Sequence, residues 1–130
     1  MKVLDASFLI DYLDEVQSAI DYLDAHRDER FILPLPAYAE AVVGEGNLPG
    51  EADIDGVQHA LAWGEVYDIT RRHVVIGAEI ADEIGPQGPY LGGCDALIAA
   101  VGRELDAAVV SSDRDLTHPE TKQVLAVEEY

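Results

Sequence analysis

Short apolar runs alternate with amphipathic segments along the chain, and this alternation limits the fold more than any other feature. Runs typical of strands occur at Lys2–Leu4, Arg30–Leu33, Glu65–Ile69, Ala107–Ser111 and Val124–Val127. Between them, apolar residues recur every three or four positions, as they do along one face of a helix. The predicted helices are Ser7–Leu13, Val16–His26, Pro36–Val43, Ile54–Trp63, Arg71–Ile84 and Cys94–Leu105. Strands that alternate with helices predict an α/β fold, with a mostly parallel central sheet covered by helices on both faces.

The size of the chain predicts one domain over residues 1–130, because single domains most often have roughly 100 to 150 residues. No apolar run approaches the roughly 20 residues that span a bilayer, and Asp5 interrupts what would be the apolar part of a signal peptide. We therefore expect a cytoplasmic protein without a membrane segment. The single cysteine, Cys94, excludes an intramolecular disulfide, and its most economical interpretation is a small buried residue.

The charge is strongly unbalanced, since 26 acidic residues face only 8 Lys and Arg and the formal net charge is −18. Disorder is not the explanation, because it requires low hydrophobicity and 48% of the residues are hydrophobic. In molar salt the Debye length falls to about 3 Å, and a uniformly acidic surface no longer repels itself strongly. The composition therefore indicates a halophilic source and predicts that molar salt stabilises the fold.

Four of the many acids have a shared position relative to the predicted strands. Asp5 and Asp113 each follow an apolar strand, Glu40 lies one turn into the helix after another strand, and Asp95 begins a helix. Because ligands collect at the carboxyl ends of parallel strands, we expect all four to point toward one end of the fold. Asp95 and Asp113 have an alternative interpretation as helix or turn caps. Glu40 has small apolar neighbours, which predicts a crowded setting.

Four converging carboxylates repel one another unless one keeps its proton or a cation shares the site. Oxygen ligands select hard ions, so Mg²⁺ or Mn²⁺ fits, whereas zinc fits poorly because no His or Cys occurs at a metal-ligand spacing. The four histidines lack the pairing that a histidine-based nuclease requires and are predicted to lie on the surface. They are His26, His59, His73 and His118.

Four short motifs resemble those of the PIN-domain family, and in particular its VapC-like toxins. Leu4–Asp11 is similar to the opening of a PIN domain, Tyr38–Glu40 to the segment around its central glutamate, and Cys94–Ala100 to its third motif. Val110–Leu116 is similar to the fourth motif, although Leu116 stands where the family often has an aromatic residue. The order and spacing of the motifs agree over nearly the whole chain.

This resemblance implies a three-layer α/β/α fold and an Mg²⁺- or Mn²⁺-dependent endoribonuclease that hydrolyses RNA through metal-activated water. It further implies a homodimer and inhibition by a cognate antitoxin. The catalytic and metal-binding residues would be Asp5, Glu40, Asp95 and Asp113, and Asp115 is an alternative fourth metal ligand.

Three further residues have positions that suit supporting roles at such a site. Ser7 and Ser111 are placed to hydrogen-bond a ligand carboxylate or a phosphate, although such hydroxyls are also ordinary helix caps. Arg114 lies between Asp113 and Asp115 and is the best candidate for a phosphate contact.

Two rival interpretations remain on the sequence alone. A catalytically silent PIN-like interaction module is one, although the presence of all four acids argues against it. A phosphoacceptor receiver domain is the other, since it is also a small acidic α/β protein with carboxylates at the rim of a sheet. It needs a lysine near the phosphoaspartate, and Lys2 and Lys122 are badly placed for that role.

Overall fold

One five-stranded sheet forms the centre of the computed structural model, which describes residues 1–130. The strands are β1 (Lys2–Leu4), β2 (Phe31–Pro34), β3 (Glu65–Tyr67), β4 (Ala108–Val110) and β5 (Val127–Glu128). Their order across the sheet is β3-β2-β1-β4-β5, and every neighbouring pair is parallel. The predicted α/β fold is confirmed, and its sheet is entirely parallel.

Seven helices connect and cover the strands. They are α1 (Ala6–Leu13), α2 (Gln17–Ala25), α3 (Leu35–Gly46), α4 (Ile54–Ala60), α5 (Arg71–Ile84), α6 (Gly93–Leu105) and α7 (Pro119–Val124). All six predicted helices are present, with ends displaced by at most three residues. Helix α3 follows β2 without a loop. Pro36 lies in the first turn of this helix, where proline is tolerated. None of the helices is long and apolar enough to cross a membrane.

The last predicted strand, Val124–Val127, is present but displaced toward the end of the chain, and it overlaps β5 only at Val127. Val124 ends α7, which the sequence did not predict, and β5 begins only at Val127. Pro119 occupies the first turn of α7, and His118 Nδ1 accepts a hydrogen bond from the Glu120 backbone N–H at 3.1 Å. Of the apolar residues that suggested a strand, Leu125 is buried in the core, and Val124 and Val127 pack against the core. A short apolar run cannot separate a strand from a buried helix end by periodicity alone.

The two central strands carry the most deeply buried part of the core. Val3 and Leu4 of β1 and Val109 and Val110 of β4 have no exposed surface. Such a closely packed pair of strands holds the residues that follow them in fixed positions. Cys94, in contrast, is exposed in the first turn of α6, so its predicted burial is wrong.

The topology defines one crevice at the carboxyl edge of the sheet. The chain leaves β1 toward β2 and β3 on one side, and it later places β4 and β5 on the other side. The order of the strands therefore reverses between β1 and β4. In open parallel sheets, ligands bind at this switch point, beyond the carboxyl ends of the strands. Asp5 follows β1 at this point, and Ser111 follows β4.

Candidate metal and catalytic site

Asp5 lies at the bottom of the crevice, with only 2% of its surface exposed. Its backbone N–H donates to the carbonyl of Val110 at 3.1 Å, which continues the pairing of β1 with β4. Its Oδ2 accepts hydrogen bonds from Ser7 Oγ at 2.8 Å and from Ser111 Oγ at 2.7 Å. No protein group donates to its Oδ1, so one carboxylate oxygen is held in place and the other remains available.

The two serine hydroxyls join Asp5 to the segment after β4. Ser7 Oγ accepts the backbone N–H of Ser112 at 3.1 Å, and Ser111 Oγ accepts the backbone N–H of Asp113 at 2.9 Å. Each hydroxyl therefore donates to Asp5 and accepts from the main chain. Neither caps a helix, so the alternative interpretation of these serines as helix caps does not hold. The sequence analysis did not identify Ser112 as part of the site. Its contact with Ser7 is made by a backbone amide, which leaves no side-chain pattern in the sequence.

Asp95, Asp113 and Asp115 form the tightest group of acids at the crevice. One carboxylate oxygen from each lies within 4.8 Å of the other two. Asp113 Oδ1 accepts the backbone N–H groups of Asp115 at 2.9 Å and Leu116 at 3.1 Å. Asp113 is therefore a turn cap as well as a member of the group, while its second oxygen has no protein donor. Asp95 lies in the first turn of α6 and accepts no capping hydrogen bond.

Asp5 and Glu40 lie outside that tight group but are coupled to it electrostatically. Glu40 projects from α3 and is exposed, so the predicted crowded setting is wrong. Partial desolvation raises the pKa of Glu40, and the negative charges of Asp5 and Asp113 raise it further. Burial, reinforced by the same two carboxylates and by Asp115 and Glu40, raises the pKa of Asp95 to about 7. The acids at this edge therefore share one field of unbalanced negative charge.

The protein supplies no cation to balance these acids. Six of the eight Lys and Arg side chains lie within 4.0 Å of a carboxylate elsewhere, and Arg71 and Arg114 are the two that form no ion pair. None of the eight pairs with Asp5, Glu40, Asp95, Asp113 or Asp115. A set of oxygen ligands with free lone pairs and no resident positive charge fits a hard divalent cation.

The histidines take no part in this group, but the prediction that all four lie on the surface is wrong for His73. Its side chain is 3% exposed. His73 Nε2 lies 2.9 Å from Glu104 Oε1, and its Nδ1 accepts the backbone N–H of Thr70 at 2.9 Å. His73 therefore completes the cap of α5 and joins α5 to α6, which is a structural role.

Both lysines form ion pairs away from the acids of the candidate site. Lys2 Nζ lies 2.5 Å from Glu128 Oε1, and Lys122 Nζ lies 2.5 Å from Glu129 Oε2. The lysine that a receiver domain would place beside its acids is therefore missing.

The chain therefore belongs to the class of parallel α/β proteins with an acidic site at the switch point of the sheet. All the candidate ligand atoms of that site are carboxylate oxygens. The PIN domain model matches residues 2–122, and the chain belongs to the PIN domain family. Nuclease activity with divalent metals is general for this family. No curated protein sequence gives a significant match to the chain.

Solved structures of toxin–antitoxin proteins share the fold over nearly the full length of the chain. VapBC2 from Rickettsia felis, bound to a DNA fragment from its promoter, matches with a TM-score of 0.77 and 18% identity, covering 99% of this chain and 98% of that one. FitAcB from Neisseria gonorrhoeae matches with a TM-score of 0.78 and 20% identity, covering 98% and 96%. VapBC-1 from nontypeable Haemophilus influenzae matches with a TM-score of 0.76 and 16% identity, again covering 98% and 96%.

Proposed function

We propose that the chain is an Mg²⁺- or Mn²⁺-dependent endoribonuclease and the toxin of a VapBC-type toxin–antitoxin pair. The observation that carries the proposal is the convergence of Asp5, Glu40, Asp95, Asp113 and Asp115 at the switch point with no cation from the protein. The fold match to toxin chains of toxin–antitoxin complexes supports the biological assignment.

The residues of the chain have separable tasks in this proposal. Asp5 would help to hold the ion, since Ser7 and Ser111 donate to its Oδ2 and leave its Oδ1 without a protein donor. Asp95, Asp113 and Asp115 would supply further carboxylate oxygens, and Glu40 on α3 would add its negative charge at the edge of the site. A bound divalent ion lowers the pKa of water and stabilises the negative charge that develops on a phosphodiester. The hydrogen bonds around Asp5 orient the ligand before any ion or substrate arrives, which lowers the cost of reorganisation.

Arg114 is the proposed phosphate contact. It is exposed, it forms no ion pair, and its neighbours in the chain are Asp113 and Asp115. An arginine that remains unpaired in a protein with 26 acids is available for an external anion. Arg71 is also unpaired, but it begins α5, whose first turn packs against the far end of α6 from Asp95. This single cation and the bound metal would have to offset the repulsion between RNA and the acidic surface, which strong salt screening reduces.

An apolar groove beside the site supports the proposal of an antitoxin partner. The groove has a volume of about 200 Å³ and lies between α1 and α3, with Ile10, Leu13 and Leu48 among its lining residues. Glu40 forms part of the same wall, so a segment that filled the groove would also reach the acids. We propose that an antitoxin segment with apolar side chains covers this groove. A homodimer is proposed from the family resemblance, and sedimentation velocity distinguishes it from a monomer.

The proposed function is tested with Asp5→Asn, which keeps the size of the side chain and removes its charge. In molar KCl with Mg²⁺ or Mn²⁺, we expect the wild type to cleave RNA and Asp5→Asn to lower kcat/KM about 100-fold or more, because a metal ligand is lost. The matched control is Asp82→Asn, an identical change at an exposed position of α5. Glu40→Gln is a second variant. Because Glu40 is exposed, this substitution should leave the fold intact, so a loss of activity would report on the site and not on misfolding.

Two outcomes contradict the proposal in different ways. Equal cleavage by the wild type and Asp5→Asn would refute the assigned mechanism. No cleavage by a folded wild type with either metal would instead favour the silent interaction module.

A further inference from the structure

The hydroxyl of Tyr130 lies beside the site but belongs to none of the groups assigned so far. It donates to Asp11 Oδ2 at 2.7 Å and lies 3.1 Å from Ser112 Oγ. The ring packs edge-on against the fully buried Phe8, with centroids 4.7 Å apart and an interplanar angle of 73°. Asp11 is part of the first motif, one helical turn after Ser7, yet it is not among the converging acids.

A short chain of hydrogen bonds leads from this hydroxyl to Asp5. The phenol has one proton, and the carboxylate of Asp11 accepts it, so the hydroxyl of Ser112 is left to donate to the phenol oxygen. The backbone N–H of Ser112 donates to Ser7 Oγ at 3.1 Å, and Ser7 Oγ donates to Asp5 Oδ2 at 2.8 Å. Burial, reinforced by the hydrogen bond to Asp11, raises the pKa of Tyr130 to about 12. The phenol therefore keeps the donor proton at any pH near neutrality.

Ser112 needs such a connection because it is exposed and directly precedes Asp113. Its main chain lies between Ser7 on α1 and the segment that carries Asp113 and Asp115. If Ser112 moved, Ser7 would lose its main-chain donor. Only the hydrogen bonds of Ser111 would then fix the separation between Asp5 and Asp113. The ring of Tyr130 packs against the core, so its hydroxyl is a fixed point beside the exposed Ser112.

We propose that Asp11 and Tyr130 form a positioning pair that holds Ser112, and through it Ser7 and Asp5, in the geometry that binds the divalent ion. The inference rests on the proposed function, since it assigns these residues to the same site. Neither residue would need to touch the ion or the substrate for this role. Their effect is on the affinity of the site and on the fraction of molecules in which the acids are correctly placed.

The test compares Tyr130→Phe with Tyr22→Phe. Tyr22 is a close match, since its hydroxyl also donates to a carboxylate, Glu128 Oε2 at 2.6 Å, and its ring also packs edge-on against Phe8 at 5.7 Å. It has no contact with the serines of the site. Both variants keep the aromatic ring, so both are expected to fold and to lose similar stability. Three experiments are done on each variant: titration for the Mn²⁺ dissociation constant, amide hydrogen exchange at Ser112, and steady-state kinetics for kcat and KM with RNA.

We expect Tyr130→Phe to weaken Mn²⁺ binding by about 3- to 10-fold, somewhat less than the loss of a direct partner of a metal ligand. Exchange of the Ser112 amide is expected to accelerate, and kcat at subsaturating Mn²⁺ to fall while KM for RNA stays within about 2-fold. Tyr22→Phe is expected to leave all of these at the wild-type values. Asp11→Asn keeps an oxygen that accepts from the phenol and should restore most of the Mn²⁺ affinity that Asp11→Ala loses.

The outcomes separate this inference from the proposed function. If Tyr130→Phe and Tyr22→Phe are indistinguishable in Mn²⁺ affinity and in Ser112 exchange, the positioning pair is refuted, even where RNA cleavage is normal. If the wild type binds Mn²⁺ and cleaves no RNA, only the proposed nuclease function fails, because the first two measurements still decide the role of Tyr130. Absence of Mn²⁺ binding by the folded wild type overturns both.

Discussion

Two groups of carboxylates in this molecule show opposite electrostatic balance. Glu104 accepts from the Tyr67 hydroxyl at 2.5 Å and from His73 Nε2 at 2.9 Å, and Arg72 Nε lies 3.6 Å away. These hydrogen bonds and charges lower the pKa of Glu104. At the switch point, the pKa of Asp95 is instead raised to about 7 by burial and by four neighbouring acids. The protein completes the first group with its own donors, whereas the second group lacks a positive partner.

The comparison gives a criterion for finding a site in a protein where one residue in five is acidic. The number of acids near a point carries little information here, because acids are frequent everywhere. What separates the groups is whether donors and cations from the chain satisfy the carboxylate oxygens. Glu128 follows Glu104 in this respect, since Lys2 and Tyr22 lower its pKa through hydrogen bonds. A structural group should therefore respond to mutation in stability, and the switch-point group should respond in metal affinity.

The largest effect on stability is expected for Glu104→Ala. This substitution removes the acceptor from the buried His73 and from the hydroxyl of Tyr67. Leaving the buried His73 without a partner and removing the bond to the half-buried Tyr67 costs about 2 to 3 kcal/mol in total, which corresponds to a melting temperature lower by about 10 °C in a domain of this size. Calorimetry gives the change in stability, and titration with Mn²⁺ is expected to give an unchanged dissociation constant. A large loss of Mn²⁺ affinity would show that the two groups are coupled and would remove the distinction.

The sequence predicted the switch-point group better than the Glu104 group, and the reason is physical. Val3, Leu4, Val109 and Val110 form buried parallel strands, and a residue that follows such a strand must emerge at the carboxyl edge of the sheet. The position of Asp5 at the same edge of the sheet as Asp113 therefore follows from local pattern and topology.

The contacts of Glu104 have no comparable signal. Tyr67 and His73 are 37 and 31 residues away in the chain. Tyr67 ends β3 and His73 lies in the first turn of α5, so only the tertiary packing of these elements against α6 brings them to Glu104. His73 was expected on the surface. It occupies the position of the capping box that usually holds Glu or Gln, and a histidine there gives no recognisable sequence pattern. The same limitation applies to Tyr130, whose contact with Asp11 spans 119 residues.

A smaller effect is expected from salt, which acts on the uncompensated acids of the whole surface. We expect the melting temperature to rise by on the order of 5 °C between dilute buffer and molar KCl, because screening reduces the repulsion that accompanies a net charge of −18. NaCl at the same ionic strength should have the same effect. The difference between the wild type and Glu104→Ala should hardly change with salt, because it comes from short hydrogen bonds. A flat salt profile would refute the inference of a halophilic source.

The smallest effect on stability is expected for Asp95→Asn, and its sign distinguishes the two groups. The folded-state pKa of Asp95 is raised from 3.8 to about 7, so without metal the folded protein binds more protons at this group than the unfolded chain between those values. Ionising Asp95 therefore destabilises the metal-free fold progressively as pH rises from about 4 to 7. Replacement by Asn removes this cost, and after allowance for solvent screening we expect a gain on the order of 1 kcal/mol at pH 8.

The measurement is thermal unfolding of the wild type and Asp95→Asn with a chelator present, from pH 5 to pH 8. The advantage of Asp95→Asn should grow with pH, while Asp82→Asn, at an exposed position, should follow the wild-type profile. With Mn²⁺ in place of the chelator the order should reverse, because the ion stabilises the folded wild type in proportion to its affinity and Asn is a weaker ligand. If Asp95→Asn is less stable than the wild type in the chelator at pH 8, the chain itself compensates the charge of Asp95. The switch-point group would then be structural in the same sense as the group around Glu104.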